Sequence, residues 1–359
     1  MKHVLPVRRA VLRMAPYVPP QENRLGKLRL DFNENTVGCS PAVTRALRGL
    51  SPQQVAMYPE YIRATARLAR AIGVRAEELV LTNGGDDALR LLFDVFVDEE
   101  ETVVFPEPTF PMYRFYAEMY GAQIAAPRFD AEMRFPVKEI VAALRRRPSV
   151  VFLANPNNPT GTLLEPSDLR RILRAATHSV VTVDEAYFEF SGWSAAPWLR
   201  RYPHLVVART FSKATGLAGL RLGCLIARKE VAELFRKVAP PFNVNIAALI
   251  AAEAAARDRR SVRRYVGEVR RARAEFARAV AELGYRPFTS AANFLLVDFG
   301  TRGPELVLRL ARKGILLRDR SEEFGRPGPV RVSIGTRRQM RRLAHAIAEF
   351  AGSRKSSRR

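Results

Sequence analysis

Short apolar runs recur along the first two thirds of the chain: LVLT (79–82), TVVF (102–105), VVFLAN (150–155), VVTVDE (180–185), LVVART (205–210) and LGCLIA (222–227). Their hydrophobicity is mostly continuous rather than alternating. Between them lie helical stretches: DDALRLLFDVFV (86–97), the segment after Pro166, and VAELFRKV (231–238). Continuous apolar strands separated by helices predict an α/β fold with a buried, mostly parallel sheet. After PPFNVN (240–245) the texture changes. One long helix is expected there, with Val262, Tyr265, Val266, Val269, Phe276, Val280 and Leu283 at helical spacing and Gly284 as its stop. NFLLVDF (293–299), an amphipathic helix, GILLR (314–318) and VRVSI (330–334) then read as a smaller α/β unit, which puts a domain boundary near residue 240. The tail SRKSSRR (353–359) reads as a disordered, solvated run of charge.

The 359 residues suffice for about two domains, and 47% hydrophobic with 26% charged residues excludes a disordered basic protein. The net charge is +23, yet only eight of the 59 basic residues are lysines. Such a surplus invites a nucleic-acid reading, but no helix-turn-helix, zinc finger or interleaved aromatic–basic pattern accompanies it. Cys39 and Cys224 are too few for a disulfide framework and lack metal-binding spacing, so a reducing cytoplasm is the expected compartment. No apolar stretch approaches the roughly 18 residues of a membrane span. Four scattered histidines argue against a zinc site or a Ser-His-Asp triad.

The ends of the strands carry the chemistry. Ligands of a parallel sheet bind at the carboxyl ends of its strands. Those ends here read NGGDD, NPNNPTG, DEAY and RTFSKA. NGG (83–85) opening onto a helix offers free backbone N–H groups and a positive dipole to a phosphate; taken alone, it is an ordinary strand-to-helix turn. Lys213 follows a strand and precedes a Gly-rich turn, FSKATGLAGLRLG (211–223). A partly buried lysine loses its proton readily and forms a Schiff base with an aldehyde. Thr210, Ser212 and Arg221 suit a phosphate. Asp184, at the end of a neighbouring strand, suits a pyridine nitrogen. Tyr187 and Asn158 are placed to hydrogen-bond a phenolic ring oxygen, and Phe110 to stack on the ring. An aldehyde bearing a phosphate and such a ring is pyridoxal 5′-phosphate (PLP).

The motifs DEAY (184–187), SK (212–213) with Arg221 eight residues later, and PNNPTG (156–161) resemble those of a PLP-dependent aminotransferase of fold type I. DFNENTVG (31–38), MYPE (57–60), PTFPMY (108–113), PFNVN (241–245), GILLRD (314–319) and VRVSIGT (330–336) are similar, in the same order, to those of its histidinol-phosphate aminotransferase branch. Phe110 and Thr36 replace the Tyr and Pro usual in that branch. The resemblance spans about residues 15 to 350. It implies a large PLP-binding domain (41–240), a small C-terminal domain (241–352) joined by an N-terminal arm (1–40), and a homodimer with shared sites.

The resemblance also implies roles. Lys213 would hold PLP and move the proton. Gly85, Asp86, Thr210, Ser212 and Arg221 would surround the cofactor phosphate, with Tyr58 reaching it from the neighbouring subunit. Arg331 would bind a carboxylate, Tyr17 and Arg318 the phosphate end of the substrate, and Asn33 would lie near the substrate. The implied reaction takes L-histidinol phosphate and 2-oxoglutarate to imidazole acetol phosphate and L-glutamate. Relatives with nearly the same motifs transaminate phenylalanine or decarboxylate phosphothreonine.

Overall fold

Buried strands form where both faces of a sheet are covered, and the six apolar runs do form them. The computed structural model describes residues 5–17 and 23–356. Its main sheet has seven strands in the order Leu79–Thr82, Gly223–Ile226, Leu205–Thr210, Val180–Asp184, Val150–Ala154, Thr102–Val104 and Gln123–Ala125. All neighbours are parallel except the two pairs made by Gly223–Ile226. Val151, Leu153, Val181, Val183 and Val207 pack on one face, while Val150, Phe152, Val206 and Ala208 pack on the other. The edge strand Gln123–Ala125 lacks an apolar run because it is only partly covered.

The smaller sheet is antiparallel, in the order Arg318–Asp319, Pro329–Ser333, Phe294–Asp298 and Arg286–Pro287. It builds a separate apolar core with the helices Arg259–Glu282, Gly303–Arg312 and Arg337–Ser356. The N-terminal segment joins this unit: Leu28–Arg29 pairs in parallel with Ile315–Leu316, and Ser333 donates its N–H to Leu30 O at 2.9 Å.

The long helix expected from Val262 to Leu283 forms as Arg259–Glu282, and a further helix, Ile246–Arg257, precedes it. Asp258 divides them by accepting from the N–H and hydroxyl of Ser261, which starts the second helix. Val244, Ala248, Leu249, Ala251, Ala252 and Ala255 lie in the core of the large sheet, so packing changes partner at Asp258 rather than near residue 240. The tail expected to be disordered from Ser353 continues the last helix to Ser356, and residues 357–359 lie outside the described chain. Gly284, at φ 82°, does end the long helix.

Candidate active site

Ala154, Asp184 and Ala208 stand side by side in register on three adjacent parallel strands. The alanines flank the acid and leave space above it. That space is a cavity of about 400 Å³ lined by ten of the expected residues: Gly85, Asp86, Phe110, Asn158, Asp184, Tyr187, Thr210, Ser212, Lys213 and Arg221. Phe32, Glu34 and Leu89 complete its apolar and acidic wall.

One end of the cavity is an anion cradle. Gly85 and Asp86 lie in the first turn of the helix Gly84–Phe96, whose leading N–H groups have no intrahelical acceptor. Thr210 Oγ1 donates to Ser212 Oγ at 2.9 Å, and Arg221 Nη2 bonds Asp86 Oδ2 at 3.0 Å. Gly223–Ile226 separates the strand leading to this turn from the strand leading to Thr210, so the two are not direct neighbours. Glycine bridges the gap. Gly223 pairs with both Thr82 and Thr210, and a Cβ there would lie 2.6 Å from the backbone of Gly84. Gly84 itself has φ +84° and would drive a Cβ to 2.5 Å from Arg221 Nη2. Both glycines lie inside quoted motifs, but the reason each must be glycine emerges only from the close approach of the two segments.

At the cavity floor, Asp184 Oδ2 accepts from Tyr113 Oη at 2.8 Å and Oδ1 from the Ala186 N–H at 3.0 Å. Burial pushes its carboxyl up to about 6, against the pull of those two bonds. Both donors are neutral, so a cationic N–H set against this carboxylate would be strongly favoured. Lys213 Nζ donates to Phe32 O at 3.0 Å and lies 5.8 Å from the centre of the Tyr187 ring. Phe110 meets Tyr113 edge-on at 5.8 Å.

Five expected residues lie outside the cavity lining. Asn33, at φ 56°, acts one step behind it: its Nδ2 donates to Tyr187 Oη at 3.0 Å, and Ser333 Oγ donates to its Oδ1 at 3.0 Å. Arg331 is buried and reaches the wall through Asn158 Oδ1 at 2.7 Å, with a second bond to Asp31 O. Burial, then the neighbouring Arg320 and Arg318, lower its pKa to about 9. Arg318 is directly opposite Arg331 in the small sheet. Tyr17 is 44% exposed, and Tyr58 is 76% exposed and stacked on Phe242 at 4.3 Å. Both tyrosines stand clear of this chain's cavity.

The motif reading passes over Tyr113, Phe32 and Glu34. All three lie inside quoted motifs, but only the folded chain shows what they touch. Glu34 accepts from both terminal nitrogens of Arg24, at 3.2 and 2.7 Å. Burial would raise its pKa, but the bonds and charge of Arg24 prevail and hold it low. Among the described residues, no group of three or more His, Cys, Asp or Glu side chains is arranged to hold a metal, and no helix is long and apolar enough to cross a membrane.

Comparison with known proteins agrees with this geometry. The family model for aminotransferase class I and II matches residues 26–347. A histidinol-phosphate aminotransferase of Symbiobacterium thermophilum is 39% identical over 96% of this chain and 99% of its own length. Another, of a Geobacillus species (strain WCH70), is 35% identical over 90% of each chain. The crystal structure of the Sinorhizobium meliloti histidinol-phosphate aminotransferase in complex with pyridoxal-5′-phosphate superposes with a TM-score of 0.88 at 26% identity, covering 98% of this chain and 99% of that one. A lysine amine, an anion cradle and a buried acid at neighbouring strand ends, on a chain matched over nearly its full length, lead to one assignment: the chain belongs to the aminotransferase class I and II family, in its histidinol-phosphate aminotransferase branch.

Proposed function

We propose that the protein is a PLP-dependent transaminase that converts L-histidinol phosphate and 2-oxoglutarate to imidazole acetol phosphate and L-glutamate, a step of histidine biosynthesis. The observation that carries this reading is the meeting of Lys213, Asp184 and the anion cradle in one cavity, with buried Arg331 behind Asn158.

The residues present fit the cofactor. Its phosphate matches the Gly85 and Asp86 N–H groups, the Thr210 and Ser212 hydroxyls and Arg221, which would exchange Asp86 for the stronger anion. Its ring nitrogen matches Asp184, whose carboxyl is raised to about 6 in the absence of a cationic partner. When bound, PLP supplies an aldehyde for Lys213 and a ring that draws electrons from the carbon losing its proton.

The remaining work falls to the chain. With PLP bound, Lys213 Nζ would take the proton from the amine-bearing carbon and hold it for delivery. Tyr187 Oη, held by Asn33 Nδ2, and Asn158 would orient the cofactor's ring oxygen. Phe110, Phe32 and Leu89 line the cavity; Phe110 would cover the cofactor's ring face, and the other two would exclude water from the reacting carbon. Histidinol phosphate has a phosphate where glutamate has carboxylates, and the forked guanidiniums of Arg331 and Arg318 suit both anions.

We also read the protein as a cytoplasmic homodimer. Tyr58, 76% exposed and stacked on Phe242, is not part of its own cavity's lining and would be available to a second copy's cradle. The two free thiols, Cys39 and Cys224, suit a reducing compartment.

Incubation of the purified protein with L-histidinol phosphate and 2-oxoglutarate should yield L-glutamate, and a Lys213→Ala variant should yield none. A PLP-loaded wild type that forms no glutamate would overturn the reading.

A further inference from the structure

One face of the small sheet is cationic. Arg318 stands directly opposite Arg331 in the antiparallel ladder, so both side chains leave the sheet on the same side. Arg320 follows two residues after Arg318, and its N–H still bonds Pro329 O at 2.9 Å. That single bond extends the pairing past the strand's end at Asp319, and the Arg320 charge bears on Arg331 from close by. Val330 and Val332 point the other way, into the core of the small unit. Arg331 links this face to the cavity, because its partner Asn158 is part of the cavity lining.

No sequence motif singles out Arg320, but its surroundings do. Its side chain and that of Arg331 are each only 4% exposed. A guanidinium carries five N–H donors, and a buried donor left unpaired costs about 1–3 kcal/mol. Among the described residues, the Nε of Arg320 and the Nε of Arg331 both lack a hydrogen-bond partner. Glu323 accepts from Arg320 Nη1. Set against three guanidiniums, that one carboxylate leaves a surplus of two positive charges. Two buried guanidiniums and a half-buried third, with spare Nε donors and a surplus of two positive charges, are the complement of a dianion.

We propose that Arg320 is a specificity-determining residue that completes, with Arg331 and Arg318, a receptor for the phosphate monoester dianion of the amino donor. This rests on the transaminase reading above, since it names which part of the donor the face receives. Arg320 supplies the second buried fork and holds the charge surplus that separates a doubly charged tail from a neutral one.

The test compares the holoenzyme with its Arg320→Gln and Arg320→Lys variants on L-histidinol phosphate and on L-histidinol, the same amine without the phosphate. Arg320→Gln should lower kcat/KM for the phosphorylated donor by about 10- to 100-fold, the worth of a charge-assisted hydrogen bond, and mainly through KM. The values for L-histidinol and the visible cofactor absorption should not change, and Arg320→Lys should restore part of the loss. Inorganic phosphate should inhibit the wild type competitively and Arg320→Gln by a similar factor less. An equal fall for both donors marks a merely structural role and overturns the inference, as does an unchanged ratio between them. A wild type indifferent to the phosphate defeats the substrate reading itself; the inorganic phosphate arm then decides Arg320 alone, and equal inhibition of wild type and variant overturns it.

Discussion

The phenol of Tyr113 donates to Asp184 at 2.8 Å from beneath the cavity floor, and the tyrosine is itself wholly buried. That bond stabilises the ionised form of an acid which its surroundings otherwise press toward neutrality. Burial, reinforced by the Asp184 charge, pushes the Tyr113 phenol well above its ordinary value, so it remains a donor at any working pH.

Tyr113→Phe is therefore expected to cost about 1–2 kcal/mol of stability, the effect of leaving a buried charged group one donor short. Turnover should fall several-fold, because Asp184 ionises less readily. Denaturant unfolding and steady-state kinetics measure both effects; a variant with wild-type stability and turnover would show that the bond is incidental.

The raised carboxyl of Asp184 also predicts a pH dependence for the cofactor-free protein. The folded state holds this proton up to about 6, whereas an unfolded aspartate releases it near its ordinary value of 3.8. Folding thus binds a proton over that interval. The associated stability is present at the acid end and lost as pH rises through about 6, by on the order of 3 kcal/mol. Glu185 and Glu189 are raised in the same direction, so the Asp184 part is isolated by comparison with Asp184→Asn. The variant should show a flatter profile between about pH 4 and 6, and identical slopes would refute the assignment.

Gly223→Ala places a Cβ against the Gly84 backbone at 2.6 Å and against Arg209 O at 2.9 Å, with no flexible side chain able to yield. The loop bearing Gly85 and Asp86 must then move away from Thr210. A loss of about 2 kcal/mol or more in stability is expected, together with weakened retention of PLP. Spectrophotometric titration with PLP checks the second effect, and wild-type affinity in the variant would contradict this view of the cradle.

Much of this arrangement is legible in the sequence because strand ends are local. Lys213, Asp184, Asn158 and Arg221 each stand next to an apolar run that must become a buried strand, and a parallel sheet carries such positions to one edge. The family resemblance read from the same motifs holds. The edge strand Gln123–Ala125 leaves little trace because half-exposed residues need not be apolar. The break at Asp258 hides inside a continuous helical pattern, since a cap needs only one residue. Gly223 and Tyr113 matter through partners more than seventy residues away, and no spacing rule reaches that far. The surplus of +23, first suggestive of a polyanion partner, becomes specific only at the buried pair Arg320 and Arg331 and at Arg221 in the cradle.

The most direct measurement of the central claim is an amino-donor profile of the holoenzyme with 2-oxoglutarate as acceptor, reading kcat/KM for L-histidinol phosphate beside that for L-phenylalanine, with assay for released carbon dioxide. The account predicts clear preference for L-histidinol phosphate, stoichiometric L-glutamate and no carbon dioxide. Preference for phenylalanine, or loss of the amine substrate as carbon dioxide without a keto product, would contradict it.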